Sequence, residues 1–277
     1  MLEAIRRNIR PSTICKLRIN VDEGCCRPLG EAESAFFSKE SLMKKYEPFK
    51  ILIGKRISTE KLPYLEDFLR EAEISRGEKV LEIGINPAYL AVYLSKIVGD
   101  KGKVVLAELD EMITADAKRN IERHKAHNIV EVTEAKVEKL PFDPNSFDIV
   151  VSDRTTSLLK HKSTLIKEMA RVLKAGGKLV IADCILRKPF TKSQVQQFRQ
   201  NFACVFQAAT VKDYVKLLEN SGFKDVKIII FMDEECVRPH SKIEDQMRGH
   251  LGFAIISAKK IGIAQRARNP PSHYSYS

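Results

Sequence analysis

The chain has no run of about 18 uncharged apolar residues, the length a helical membrane span requires. Its first residues, with Arg6, Arg7 and Arg10 scattered among Ile and Asn, lack the apolar segment of a secretory leader, so a cytoplasmic protein with no membrane partner is expected. The six cysteines, Cys15, Cys25, Cys26, Cys184, Cys204 and Cys236, include no C-x-x-C pair and no zinc-finger spacing, so neither a metal centre nor a disulfide framework is expected. Internal repeats are absent. A charge excess of one sign on a single face is also missing: the formal net charge is +11, but the basic residues alternate with Glu and Asp through most helical stretches, the pattern of a solvated surface. A local basic excess between Arg238 and Arg268 keeps nucleic acid or another polyanion as a secondary reading.

The hydrophobic fraction of 44% in 277 residues is ample for a real core. From Met1 to about Arg76 the pattern is helical or irregular and punctuated by Pro11, Pro28, Pro48 and Pro63, which predicts an N-terminal helical cap over 1–76. Leu65, Phe68, Leu69 and Ala72 lie at helical spacing within Leu62 to Glu73, directly ahead of the first predicted strand. The period then switches repeatedly. "KVLEIG" leads to a helix with Leu90, Ala91, Leu94, Ile97 and Val98 on one face and Gly99 as its C-cap; "KVVLAEL" leads to a helix over Glu111 to about Lys125, and "IVEVTEA" follows. After "FDIVVSD" comes a helix with Leu165, Ile166, Met169, Val172 and Leu173 inward, which Gly176-Gly177 is expected to stop before "KLVIADCIL".

Beyond Arg187, a Gln- and Phe-rich insertion over about 188–209 precedes a helix capped by Thr210, with Asp213 at the capping-box position, ending at Gly222. Two further strands, near Val226 to Met232 and Phe253 to Ala258, make seven, and 263–277 reads as a mobile tail. Such alternation predicts an α/β fold over 77–262: a Rossmann-like, doubly wound, mostly parallel seven-stranded sheet with helices on both faces.

In an open parallel sheet the ligand lies beyond the carboxyl ends of the strands, where strand order reverses. The first strand ends at Glu82-Ile83-Gly84, the second at Glu108-Leu109-Asp110, the third near Ala135-Lys136-Val137 and the fourth at Ser152-Asp153-Arg154. Glu108 follows Gly84 by 24 residues, near the distance at which such a unit presents a carboxylate to both ribose hydroxyls of a nucleoside. A solvated strand-end charge is the plainer account of the same residue.

The runs "GEKVLEIG", "GKVVLAELDEMI", "EKLPFDPNSFDIVVSD" and "LIKEMARVLKAGGKLVIAD" resemble, in order, class I S-adenosylmethionine-dependent methyltransferases, especially the ubiquinone/menaquinone C-methyltransferase and arsenite methyltransferase groups. The later "ATVKDYVKLLENSGFKDVKI" resembles their C-terminal helix and strand. The resemblance implies S-adenosylmethionine as cofactor and methyl transfer to a small-molecule acceptor. It also implies a cofactor set of Glu82, Gly84, Asn86, Ala88, Glu108, Leu109, Lys136, Val137 and Asp153, with Glu108 at the ribose, Lys136 and Val137 at the adenine and Asp153 on the methionine side.

Departures from the family pattern are local. Asn86 and Ala88 stand where the loop normally carries glycines, and Lys136 stands where an acid normally accepts the adenine amino group, which an ammonium cannot do. A modified donor pose, a different nucleotide-like ligand and a noncatalytic binding scaffold therefore all remain open. A nicotinamide-dependent oxidoreductase is disfavoured because no G-x-G-x-x-G is present, and "NPAY" follows the first strand rather than the fourth, which gives no support to amino-group methylation. Asp153, Arg154, Thr155 and Thr156 are candidates for orienting an acceptor, although a plain loop accounts for them equally. The stretch around Cys204 resembles the thiolate region of arsenite methyltransferases, with Cys25 and Cys26 as possible partners; small buried hydrophobes are the alternative account of such cysteines. None of His124, His127 and His161 is assigned as a general base, and no catalytic residue is singled out.

Overall fold

The computed structural model describes residues 63–159, 161–194, 208–231 and 250–262. The expectations for the cap before residue 63, for Cys25, Cys26 and Cys204, for most of the insertion and for the tail lie outside these residues. In chain order the elements are α1 (Pro63–Ala72), β1 (Lys79–Gly84), α2 (Tyr89–Val98), β2 (Lys103–Glu108), α3 (Glu111–Arg123), β3 (Val130–Glu134), β4 (Phe147–Asp153), α4 (Lys162–Val172), β5 (Leu173–Leu186), α5 (Val211–Asn220), β6 (Phe223–Phe231) and β7 (Leu251–Lys260). A short 3-10 turn, Thr156–Leu158, lies between β4 and α4. Among the described residues no helix is long and apolar enough to cross a membrane.

The strands form one sheet in the order β3-β2-β1-β4-β5-β7-β6. The first five are parallel to one another, and β7 runs antiparallel to both β5 and β6. This is the mostly parallel seven-stranded sheet expected from the sequence. Strand order reverses between β1 and β4, so a ligand crevice belongs at their carboxyl ends.

The period-2 pleat sends alternate side chains into two cores. Val80, Val104, Val151 and Val180 pack on one face with Phe68 of α1, Leu94 of α2, and Ile113 and Ile121 of α3. Leu81, Ile83, Val105, Val150 and Ile181 pack on the other with Leu165, Ile166 and Met169 of α4 and Tyr214 and Leu218 of α5. Burial on both faces explains why these strands read as continuous apolar runs. The region expected as a separate cap therefore contributes α1 to the core itself, where Ser257 on β7 also donates to Glu71 at 2.8 Å.

Helix ends follow local chemistry. Thr210 accepts from the Asp213 N–H at 3.1 Å while Asp213 accepts from the Thr210 N–H at 3.3 Å, the reciprocal capping box expected at the start of α5. Gly99 closes α2 at φ 65°, a conformation that a Cβ disfavours.

One expectation needs correction. Gly176-Gly177 does not stop α4, which ends at Val172 and passes directly into β5. The glycines lie inside that strand, where its register with β4 jumps between Phe147↔Leu173 and Ile149↔Lys178. Gly176 has φ 78°, and a Cβ on Gly177 would stand 2.7 Å from the Asp148 carbonyl oxygen. The pair accommodates a bulge, and glycine suits a bulge for the reason it suits a helix end.

A second local device explains the "LPFD" segment. Arg171 on α4 donates to the Phe142 carbonyl at 2.7 Å and the Leu140 carbonyl at 2.9 Å, and also grips Glu168 through Nε and Nη2, both at 2.7 Å. Glu168 in turn accepts from the Leu140 N–H at 2.7 Å, and its hydrogen bond to Arg171 holds its pKa below the usual glutamate value. Arg171→Met, which leaves these groups without the planar fork, is expected to lower the unfolding free energy by about 2 kcal/mol. The urea midpoint measures this, and Arg171→Lys should recover only part of the loss because an ammonium is not a planar fork.

Candidate functional site at the strand tips

The β1–α2 loop, residues 85–88, is wholly buried at the reversal point of the sheet. Gly84 ends β1 with no positive φ, so its small size matters for close approach alone. A Cβ there would meet Asn86 Nδ2 at 2.7 Å and Thr155 Oγ1 at 3.3 Å. Asn86 Nδ2 donates to Glu82 Oε1 at 2.7 Å, and Asn86 Oδ1 accepts from the Ala88 N–H at 2.8 Å. Ala88 sits at φ 64°, in the left-handed region, which disfavours a residue with a Cβ by about 1–2 kcal/mol. From α3, Asn120 braces the loop by donating to the Pro87 carbonyl at 2.8 Å.

Glu108, at the tip of β2, is 1% exposed. It accepts from the Asn86 N–H through Oε2 and from the Asp110 N–H through Oε1, both at 3.1 Å. Burial pushes its pKa up to about 8 against these two donors. Glu82 is buried completely, and burial likewise raises it to about 8, with the negative charge of Asp153 adding to the shift. The Asn86 amide and the Ala91 N–H favour its charged form too weakly to offset this, and Glu82 Oε2 has no hydrogen-bond partner.

The other expected cofactor residues lie around this pair. The Leu109 N–H donates to the Gly84 carbonyl at 3.0 Å, which ties the tips of β1 and β2 together. Val137 is partly buried against the second core, whereas Lys136 is exposed and forms an isolated bridge with Lys139. Asp153 ends β4, where it accepts from Tyr64 of α1 at 3.2 Å and from Arg154 at 3.2 Å. Burial raises its pKa while the adjacent guanidinium opposes the rise. Glu82, Gly84, Asn86, Ala88, Glu108, Leu109 and Asp153 thus gather at the tips of β1, β2 and β4, with Lys136 and Val137 just beyond β3.

Two features escaped the sequence reading. Tyr64 reaches Asp153 from 89 residues away and also accepts from Arg154 at 3.0 Å, and no local pattern marks it. Next to it lies a buried chain: Thr156 donates to Asp183 at 2.7 Å and lies 2.7 Å from the Tyr214 hydroxyl, while Asp183 also accepts from the N–H groups of Ser157 and Cys184, both at 2.7 Å. Asp183 follows the apolar run of β5, so the strand-end reasoning applied to the first four strands, extended to the fifth, would have found it. Of the polar run after β4, Thr155 stays beside Gly84, whereas Thr156 turns into this network. Among the described residues no group of three His, Cys, Asp or Glu side chains is placed to hold a metal ion.

A family profile described as "Methyltransferase domain" matches residues 74–222, more than half of the chain. The chain belongs to the methyltransferase domain family. This methyltransferase-domain chain is 27% identical over 157 residues to an arsenite methyltransferase of Halobacterium salinarum, across 57% of its own length and 40% of the relative. It is 39% identical over 120 residues to a ubiquinone/menaquinone biosynthesis C-methyltransferase of Pseudomonas putida, across 43% and 46% of the two chains. It thus spans about half the length of the curated relatives it matches. In fold it is similar to phosphoethanolamine N-methyltransferase 2 of Haemonchus contortus, solved with S-adenosyl-L-methionine, at a TM-score of 0.63 and 18% identity, across 83% of this chain and 59% of that one.

The raised carboxylates make stability depend on pH in the ligand-free protein. Because the folded pKa of Glu82 and Glu108, about 8, lies above the unfolded value, their stabilisation is full below the unfolded pKa and is lost as pH rises through about 8. The melting temperature is therefore expected to fall between pH 5 and pH 8.5 by more than it does in Glu82→Gln, whose side chain stays neutral. Equal slopes for the two proteins would show that Glu82 does not titrate in this range.

Proposed function

We propose that this protein is an S-adenosylmethionine-dependent methyltransferase that acts on a small-molecule acceptor, with the donor across the tips of β1 and β2. The observation that carries the proposal is Glu108: a carboxylate buried at the tip of β2, beside Gly84 at the reversal point, with both oxygens already accepting from loop N–H groups. A carboxylate so held suits two sugar hydroxyls, because it accepts both protons in one contact. The completely buried Glu82 Oε2, without a partner, fits a positively charged donor for a second reason: a cation beside it offsets the burial that now favours the neutral acid.

In this reading the donor supplies a methyl group on a cationic sulfur. Glu108 grips the sugar, Glu82 and the Gly84 backbone border the amino-acid side, Leu109 and Val137 line the base, and Lys136 stands at its rim. Transfer is an in-line displacement in which the methyl–sulfur bond breaks as the bond to the acceptor forms. Its electrons return to sulfur, so the protein contributes position and exclusion of water. Asp153 and Arg154 at the tip of β4, with Tyr64 of α1 bonded to both, border the methionine side and orient the acceptor. A binding scaffold that has lost the donor is the second reading, favoured by the Asn86 side chain lying over Gly84.

Calorimetric titration with S-adenosylmethionine and S-adenosylhomocysteine separates the two. Heat of binding and a raised melting temperature are expected, since a ligand of the native state must stabilise it. No response to either compound at millimolar concentration would leave the scaffold. Within the first outcome, Glu108→Ala should weaken donor binding by about 1–3 kcal/mol through lost hydrogen bonds to the sugar hydroxyls. Unchanged affinity in a folded variant would move the sugar elsewhere.

A further inference from the structure

The loop residue at position 86 has a role beyond lining the site. Its carboxamide lies over the strand tip, where a Cβ on Gly84 would meet Nδ2 at 2.7 Å. The missing side chain of Gly84 therefore makes room for Asn86. The same carboxamide donates to Glu82 at 2.7 Å and accepts from the Ala88 N–H at 2.8 Å, and its backbone N–H donates to Glu108 at 3.1 Å. One residue thus engages both buried acids and closes the loop on itself. Glu82 keeps one oxygen, Oε2, completely buried and without a partner, so the acid is only half satisfied by the amide that covers it.

We infer that Asn86 is a latch on the donor site: its carboxamide occupies the strand tip and the Glu82 contact in the free protein, and the donor must displace it to bind. Residue 86 thereby sets donor affinity and the rate of entry, rather than adding a contact to the bound donor. This rests on the donor reading above. A neutral primary amide suits the task because it satisfies a buried acid with a single hydrogen bond and leaves without separating charge. Alanine at the position keeps the backbone N–H bond to Glu108 and removes the carboxamide with its bonds to Glu82 and to the Ala88 N–H.

The test compares wild type, Asn86→Ala and Asn86→Gly by titration and stopped-flow mixing with S-adenosylmethionine, and by thermal melting with and without it. The latch predicts that Asn86→Ala lowers the Kd by about tenfold, the effect of no longer breaking the amide's hydrogen bonds on binding, and speeds association. It also predicts a lower melting temperature for the ligand-free variant than for ligand-free wild type, with the difference reduced when both are saturated with donor. A residue that contacts the bound donor, or one that merely holds the loop, gives weaker binding on truncation. Weaker or equal binding in Asn86→Ala and in Asn86→Gly overturns the latch while leaving the donor reading intact. Binding by the variants but not by wild type supports it in its strongest form, and no binding by any of the three overturns both. In wild type itself, exchange of the Asn86 side-chain amide protons should accelerate on donor binding; an unchanged rate is evidence against the latch.

Discussion

Two carboxylic acids buried side by side at the tips of β1 and β2 are the constraint from which the rest of the site follows. Moving a charged carboxylate out of water is unfavourable unless donors meet it. The β1–α2 loop supplies the Asn86 N–H to Glu108 and the Asn86 amide to Glu82, and the Asp110 N–H just after β2 supplies the second donor to Glu108. The loop conformation, including the left-handed Ala88 that starts α2 without a side-chain cap, is the geometry that delivers the two Asn86 donors. Burial still wins, and both groups bind protons more tightly than they would in water.

The sheet places these acids where they matter. β1 and β4 diverge in connectivity, with β2 and β3 on one side and β5, β7 and β6 on the other, so the crevice opens above the one place where the crossovers part. Polar groups line up along that edge: Glu108, Glu82, Asp153 and, behind the turn after β4, Asp183. Tyr64 and Arg154 meet Asp153, and Thr156 meets Asp183. The methyltransferase domain profile matches β1 through α5 of this sheet, while the chain covers only about half of its curated relatives.

Replacement of loop glycines is often read as erosion of a site, but the geometry here shows what the replacements do. Asn86 fills the space over Gly84 with a side chain that is hydrogen-bonded at both ends. Ala88 adopts the backbone conformation a glycine would take, at a steric disadvantage that the surrounding bonds hold in place.

Local sequence was sufficient for most of the scaffold. Strand and helix periods, the Thr210–Asp213 capping box and the Gly99 terminus are set by residues within a few positions of one another, so their physics is visible in a short window. The placement of Glu82, Glu108 and Asp153 toward the strand tips was legible because strand ends in a parallel sheet converge whatever the details of packing. Gly176-Gly177 was ambiguous, since the same freedom at positive φ serves a helix end and a strand bulge, and only pairing with β4 distinguishes them. The partnership of Tyr64 with Asp153, the Thr156–Asp183–Tyr214 chain and the turn of Asn86 toward Glu82 belong to the tertiary structure alone. Each depends on groups desolvated together by the folded chain, and neither burial nor the direction of a side chain is encoded in any single neighbourhood of the sequence.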